Sequence, residues 1–109
     1  MKNDSLLFLW DTLAQIVQKG TSDLRIVIDE PGDLYVENNK GRPFARVRIQ
    51  KRHVGVYLLP MYYHPDVLPP SLKRYKAGKS TLRFRHGEDD FNEGVRLLVE
   101  NCLALVDHY

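Results

Sequence analysis

Four arginines recur at alternate positions in two segments that have the pattern of β-strands. In residues 44–59, FARVRIQKRHVGVYLL, apolar and polar residues alternate on both sides of a central turn, which predicts a β-hairpin with one buried face. Residues 81–85, TLRFR, repeat the alternation and predict a further strand. Pairing of these strands would place on the face opposite the core Arg46, Arg48, Tyr57, Arg83 and Arg85.

A set of guanidinium groups beside an aromatic ring suits the binding of anions. Arginine binds phosphates and carboxylates through bidentate hydrogen bonds, and it stacks on aromatic faces. Lys79, just before the last predicted strand, is a further candidate for contact with such an anion. The alternative is a solvated face whose arginines pair with acidic residues, because one side of an antiparallel sheet commonly faces water. Both interpretations stand at this stage.

The proline-dense segment between the hairpin and the last strand is predicted to be a long connection, with one helical turn after its Pro-Pro pair. Tyr62, Tyr63 and His64 lie between prolines in this connection. They are candidates for lining the pocket of an enzyme, and they equally suit a role in covering the edge of the core.

The string KAGKST, residues 76–81, matches the end of a phosphate-binding P-loop. Lys73, however, occupies the position of the first glycine, and a strand follows where the motif requires a helix. The motif is therefore rejected as a nucleotide site. Gly78 is instead predicted to permit a tight turn into the last strand.

An acidic group follows that strand and consists of His86, Glu88, Asp89, Asp90 and Glu93. These side chains could hold a hard cation, but acids at a helix start are also stabilised by the helix dipole without any ligand. The histidines of the chain form no HxH or HxxxH pair, so no resident metal or other cofactor is predicted.

Composition and the remaining periodicities limit the fold. A chain of 109 residues, 43% apolar and 28% charged, suits one globular domain over residues 1–109. Helical spacing in residues 5–19 predicts a first helix, and an apolar stripe from Val95 to Val106 predicts a closing helix whose first turn carries Glu88, Asp89 and Asp90. Alternation predicts two strands between residue 24 and the NNKG turn. The expected fold is α+β with two layers, a five-stranded, mainly antiparallel sheet packed on one face by both helices in the order αββββ-βα. The register of the first strand pair is left open.

Charge and cysteine content bear on compartment and partners. The net charge of +2 is too small to imply nucleic-acid binding, and the outer face lacks the aromatic run of RNA-binding sheets. Cys102 is the only cysteine, which predicts a reducing, cytoplasmic compartment. The run LLFLW is too short to span a bilayer, so no membrane partner is expected.

Residues 51–84 resemble the uncharacterised YdhG-like domain family. The resemblance is carried by a strand ending in proline, an aromatic-rich connection, a basic helical turn and a GKS-strand motif, at Val56, Tyr57, Leu58, Pro60, Tyr62, Leu72, Gly78, Lys79, Ser80, Leu82 and Phe84. It implies a small α+β domain. Some members of the wider family are described as frataxin-like iron carriers, a role that would use the acidic group.

The expected function is therefore that of a non-enzymatic binding domain for an anionic ligand on the basic face. The ligand would be a phosphate-bearing metabolite, a nucleic acid or an acidic partner protein. The alternatives are a frataxin-like iron carrier and an enzyme with a pocket near residues 62–64. An exposed sheet edge or the tyrosine-rich loop would also suit a homodimer.

Overall fold

The computed structural model describes residues 4–85 and 90–108. Its strands form one antiparallel sheet in sequence order: β1 (Arg25–Glu30), β2 (Asp33–Glu37), β3 (Pro43–Ile49), β4 (Val54–Leu58) and β5 (Thr81–Phe84). The α-helices are α1 (Asp4–Gly20), α2 (Leu59–Tyr63) and α3 (Asn92–Leu103). The predicted α+β fold, with its antiparallel sheet and terminal helices, is confirmed.

The central hairpin has the predicted register. Val47 lies opposite Val56 and Ile49 opposite Val54, whereas Arg46 lies opposite Tyr57 on the other face. Val47, Val54 and Val56 are fully buried, because the inner face of the sheet forms one core with the helices. In β5, the fully buried side chains are those of Leu82 and Phe84, so Arg83 points outward as predicted.

A β-bulge settles the pairing of the first two strands. Ile26 pairs with Val36 but Ile28 pairs with Tyr35, so the register shifts at Val27. The bulge turns Ile28 toward the outer face of the sheet, where Tyr35 lies. Ile26 and Val27 remain 37% and 44% exposed, which leaves apolar surface along this edge strand.

The helices cover the inner face together. Helix α1 packs against α3 and against β3 and β4. Its Trp10 is buried and donates a hydrogen bond from Nε1 to the carbonyl oxygen of Val47 at 2.8 Å, which ties the helix to the central strand. Among the described residues, no helix has the length and apolar content needed to cross a membrane.

The connection between β4 and β5 is more helical than the sequence suggested. Besides α2, which was not predicted, it contains short 3₁₀ helices at Pro65–Val67 and Pro70–Tyr75. Pro60 lies in the first turn of α2, where proline's missing N–H costs no hydrogen bond. Gly78 lies in the predicted turn, and the Ala77 amide donates to the Thr81 carbonyl oxygen at 3.0 Å.

The two edges of the sheet differ. Lys76 forms an isolated β-bridge with Leu82, so the segment before β5 covers the outer edge of that strand. No strand within residues 4–85 and 90–108 pairs with the far side of β1. Its edge therefore presents unpaired backbone N–H and C=O groups.

The closing helix begins later than predicted. Its first turn contains Glu93, whereas Asp90 precedes the helix, which starts at Asn92. Glu88 and Asp89, which were expected in that first turn, lie outside the described residues. Of the predicted acids, only Glu93 is therefore placed by the structure to interact with the positive end of the helix dipole.

We expect Gly20→Ala to destabilise the fold. A Cβ at Gly20 would collide with Cγ1 of Val99, because α1 and α3 approach closely at this point. Overpacking should lower the free energy of unfolding by about 1–3 kcal/mol, although alanine is normally the better helix former. Urea denaturation measures the change. Val99→Ala should relieve the collision, so the double variant should lose less stability than the sum of the singles; additive losses would contradict the collision.

Candidate functional site

Arg46 already binds a carboxylate of the protein itself. Its Nε and Nη2 donate hydrogen bonds to the carboxylate oxygens of Asp33 at 2.9 and 2.6 Å. Its guanidinium carbon lies 5.2 Å from the centroid of the Tyr35 ring. The hydrogen bonds to Asp33 raise the pKa of Arg46 above its ordinary value. For this arginine, the structure thus matches the alternative in which the outer face pairs its own charges.

The outer face is consequently mixed in charge. On the β2 side it presents Asp33, Tyr35 and Glu37, and the Tyr35 hydroxyl donates to Glu37 Oε2 at 3.2 Å. Burial is the main cause that raises the pKa of Tyr35, and the hydrogen bond to Glu37 raises it further. The predicted basic surface is therefore confined to the half of the face formed by β3, β4 and β5.

Gly55 has no side chain and so leaves open surface between two exposed arginines on the β3–β5 half of the outer face. It pairs with Arg48 on β3 and with Arg83 on β5, so the two side chains rise on either side of it. A Cβ at Gly55 would meet atoms of Arg48 and Gln50 only at 3.9 and 4.0 Å. The Cα atoms of Arg48 and Arg83 are two strand spacings apart, or about 10 Å. Both side chains are long enough to reach one ligand bound between them.

His53 lies at the same end of the outer face, just before β4. Burial lowers the pKa of His53 below its ordinary value, and the positive charges of Arg83 and Arg85 lower it further. Both arginines are therefore close enough to oppose protonation of the imidazole. We refer to Arg48, His53, Arg83 and Arg85 as the arginine cluster. Within residues 4–85 and 90–108, none of its arginines forms an ion pair.

Tyr57 lies two residues from Gly55 along β4, on the same outer face, and Lys79 lies in the turn before β5. Tyr57 lies opposite Thr81, at the start of β5, whereas Arg83 and Arg85 lie toward and beyond its end. Burial raises the pKa of Tyr57, and the charge of Arg42 opposes that shift. Lys79 Nζ lies 5.4 Å from the centroid of the Tyr62 ring, so this cation contacts an aromatic side chain. The common role of these residues in binding an anion thus stays a prediction.

The predicted pocket residues form a small aromatic surface. Tyr62 and Tyr63 are about half exposed, and their rings meet edge to face with centroids 5.0 Å apart. The backbone amide of His64 donates to the Pro60 carbonyl oxygen at 2.8 Å and so caps α2. The structure thus gives this segment an architectural role, and the prediction of an enzyme pocket stays untested.

The acidic group is only partly described. His86, Glu88 and Asp89 lie outside the described residues. Glu93 receives hydrogen bonds from Arg96 at 3.1 and 2.6 Å, and these bonds lower the pKa of its carboxyl. Asp90 is exposed. In the part of the chain that the structure describes, no three histidine, cysteine or acidic side chains are grouped to hold a metal ion.

Cys102 is a buried free thiol on the inner side of α3. Burial raises its pKa to about 12, which keeps the sulfur protonated at neutral pH. A thiol in this state is a poor nucleophile, so the residue acts as part of the core.

One surface was missed by the sequence interpretation. A groove of about 410 Å³ separates the first half of α1 from the end of β1 and is lined by Leu7, Phe8, Trp10, Asp11, Asp29, Glu30 and Pro31. Leu7 and Phe8 supplied a signal, because they are apolar yet fall outside the buried stripe of α1. We call this surface the acidic groove.

Arg46→Gln should affect stability. Its loss would leave the half-buried Asp33 carboxylate without its two hydrogen bonds. We expect a loss of roughly 1 kcal/mol in the free energy of unfolding, because the pair is partly exposed to solvent screening. A double-mutant cycle with Asp33→Asn, followed by urea denaturation, measures the coupling. Independent effects of the two substitutions would show that the pair contributes nothing.

Removing the neighbouring charges should raise the pKa of His53. In an Arg83→Gln/Arg85→Gln variant, protonation of the imidazole should meet less repulsion. NMR titration of the imidazole protons, with His53→Gln used for assignment, measures the shift; an unchanged pKa would show that the arginines are distant.

The lowered pKa of His53 also predicts how stability depends on pH. Because this pKa is below its ordinary 6.5 in the folded protein, the contribution of His53 to the free energy of unfolding is complete above pH 6.5 and decreases as the pH drops below that value.

Comparison with known proteins adds no relative. No family model, curated protein or solved structure matches this chain. The resemblance of residues 51–84 to the YdhG-like family therefore stays a prediction.

Proposed function

We propose that this chain is a cytoplasmic, non-enzymatic binding domain that holds a phosphate-type oxyanion on its outer sheet face. The observation that carries the proposal is the placement of Arg48 and Arg83 on either side of Gly55, without an ion-pair partner among the described residues. Two guanidinium groups over an uncovered glycine can donate several charge-assisted hydrogen bonds to one tetrahedral anion.

Electrostatics support this location over the rest of the face. Arg46 is neutralised by Asp33, whereas the charges of Arg83 and Arg85 lower the pKa of His53. A bound anion would reverse that effect, because a negative charge favours the protonated imidazole. Anion binding should thus be accompanied by proton uptake at His53, and the affinity should rise as the pH falls through the pKa of this imidazole.

The location of these arginines on β-strands also suits a binding site for an anion. Strands hold the bases of the side chains at fixed spacing, so the site is partly organised before the ligand arrives. The buried, unreactive thiol of Cys102 is compatible with a reducing compartment and supplies no nucleophile. These features favour binding over catalysis.

Isothermal titration calorimetry tests the proposal with three probes: inorganic pyrophosphate, a short oligothymidylate and an oligoglutamate peptide. Arg48→Gln/Arg83→Gln should weaken binding of the preferred probe by about tenfold or more, since charge-assisted hydrogen bonds are lost. Preference for pyrophosphate supports the phosphate assignment. Preference for the nucleic acid or for the acidic peptide would instead identify that class of molecule as the ligand of the site.

A matched control separates the site from general charge. Lys19→Gln/Arg96→Gln removes the same two positive charges from exposed side chains of α1 and α3. This variant should bind like the wild type. Equal weakening in both double variants, or no saturable binding of any probe, would overturn the proposal.

A further inference from the structure

The acidic groove combines exposed apolar surface with carboxylate side chains. Phe8 is 75% and Leu7 is 41% exposed, although both side chains are large and apolar. Together with the edge of Trp10 and with Pro31, they line one side of a space of about 410 Å³. Such a concentration of exposed apolar surface at one concave site is uncommon on a small protein and indicates a contact surface.

Carboxylates form the rest of the groove. Asp29 and Glu30 are exposed, and no ion pair of theirs occurs in residues 4–85 and 90–108. Asp11 accepts a hydrogen bond from Gln15 at 2.8 Å, which leaves its negative charge in place. Among the residues that the structure describes, the lining of the groove contains no lysine or arginine. Its occupant should therefore carry positive charge beside an apolar group.

The groove lies beside the open edge of the sheet. Because the chain reverses between Gly20 and Arg25, α1 and β1 run in opposite directions, and the start of the helix lies next to the end of the strand. The far side of β1 has no strand partner in the described part of the chain. An extended segment placed there could pair with the backbone of residues 28–30, which lie beyond the bulge.

We propose that the acidic groove binds an extended segment of a partner protein in which basic and apolar residues alternate. The segment adds a strand to the edge of β1. Its apolar side chains point to the helix side of the added strand and contact Leu7 and Phe8, and its basic side chains point to the outer side, where Glu30 lies. Asp29 lies on the helix side and adds negative charge at the same end of β1. This interaction is separate from the anion site, which lies on the outer face of β3 to β5.

Charge and backbone geometry disfavour the other occupants. Nucleic acid and anionic lipid surfaces would be repelled by the carboxylates of the groove. A second copy of the chain would bind by pairing its own β1 with the β1 of the first copy. In a full antiparallel pairing the bulged Val27 of each copy would lie opposite Ile28 of the other, where the register already shifts.

Selection from a display library of random short peptides tests the proposal with the full chain as bait. Peptides that alternate lysine or arginine with apolar residues should be enriched. The enriched peptide is then synthesised and titrated into the protein. Trp10 is the only tryptophan and lines the groove, so its fluorescence reports occupancy of the site directly.

Two groove variants and one control define the site. Asp29→Asn/Glu30→Gln should weaken binding about 3- to 10-fold, as expected for the loss of a partly exposed ion pair at Glu30 and of the neighbouring charge of Asp29. Phe8→Ala should weaken binding by about tenfold, and because Phe8 is 75% exposed the substitution should leave the fold intact. Asp66→Asn/Asp107→Asn, which removes two exposed carboxylates elsewhere, should leave binding unchanged.

Backbone pairing has its own test. N-methylation of alternate residues in the selected peptide should abolish binding only when it blocks the amides that face β1. The proposal is overturned if no basic, apolar pattern is enriched, or if the control variant loses binding as much as the groove variants do. It is also overturned if sedimentation shows a dimer that Phe8→Ala dissociates, because the occupant is then a second copy.

Discussion

If β3 moved by one residue against β4, Arg46 and Arg48 would enter the space now filled by Ala45 and Val47. Side chains alternate along a strand, so such a slip exchanges the two faces completely. Ala45, Val47, Val54 and Val56 are fully buried, and guanidinium groups in their place would lose their hydration without compensating partners. The burial of one face of this hairpin therefore fixes where every arginine of the sheet can lie.

The same constraint explains why the outer face is divided. β2 is bound to β3 on the side away from β4, so its outward side chains lie next to Arg46 and Arg48. Asp33 takes Arg46 as its partner with two hydrogen bonds. β4 contributes Gly55 at the next position across, and β5 contributes Arg83. Among the described residues, charge is therefore balanced toward β2 and left unbalanced toward β5.

Sequence patterns predicted the parts of the structure that depend on local alternation. The pairs Val47–Val56 and Arg46–Tyr57 follow from counting residues outward from the hairpin turn, and the structure confirms them. The Arg46–Asp33 pair could not be found this way, because it depends on the register of β2 against β3. That register is set by turn geometry and by an irregularity between Val36 and Glu37, neither of which alternation encodes.

Helix α2 and the acidic groove illustrate two other limits. The proline content of the connection argued against regular structure, but Pro60 falls in a helix's first turn, the one place where a helix tolerates it. The groove arises from the position of α1 over the sheet, which depends on contacts between distant residues such as Trp10 and Val47. Amphipathic spacing shows which side of a helix is buried, but not where the helix sits along its neighbour.

The unequal edges of the sheet limit the stoichiometry of any assembly built from it. In the described part of the chain, Lys76 and Ala77 occupy the outer side of β5, and the edge left open to hydrogen-bonded growth of the sheet is that of β1. A sheet that can be extended at one edge takes one partner at that edge, and the assembly ends there. It cannot propagate a continuous sheet through successive copies, because each added copy would present a covered edge. The bridge at Lys76 thus protects the folded chain against filament formation by strand addition.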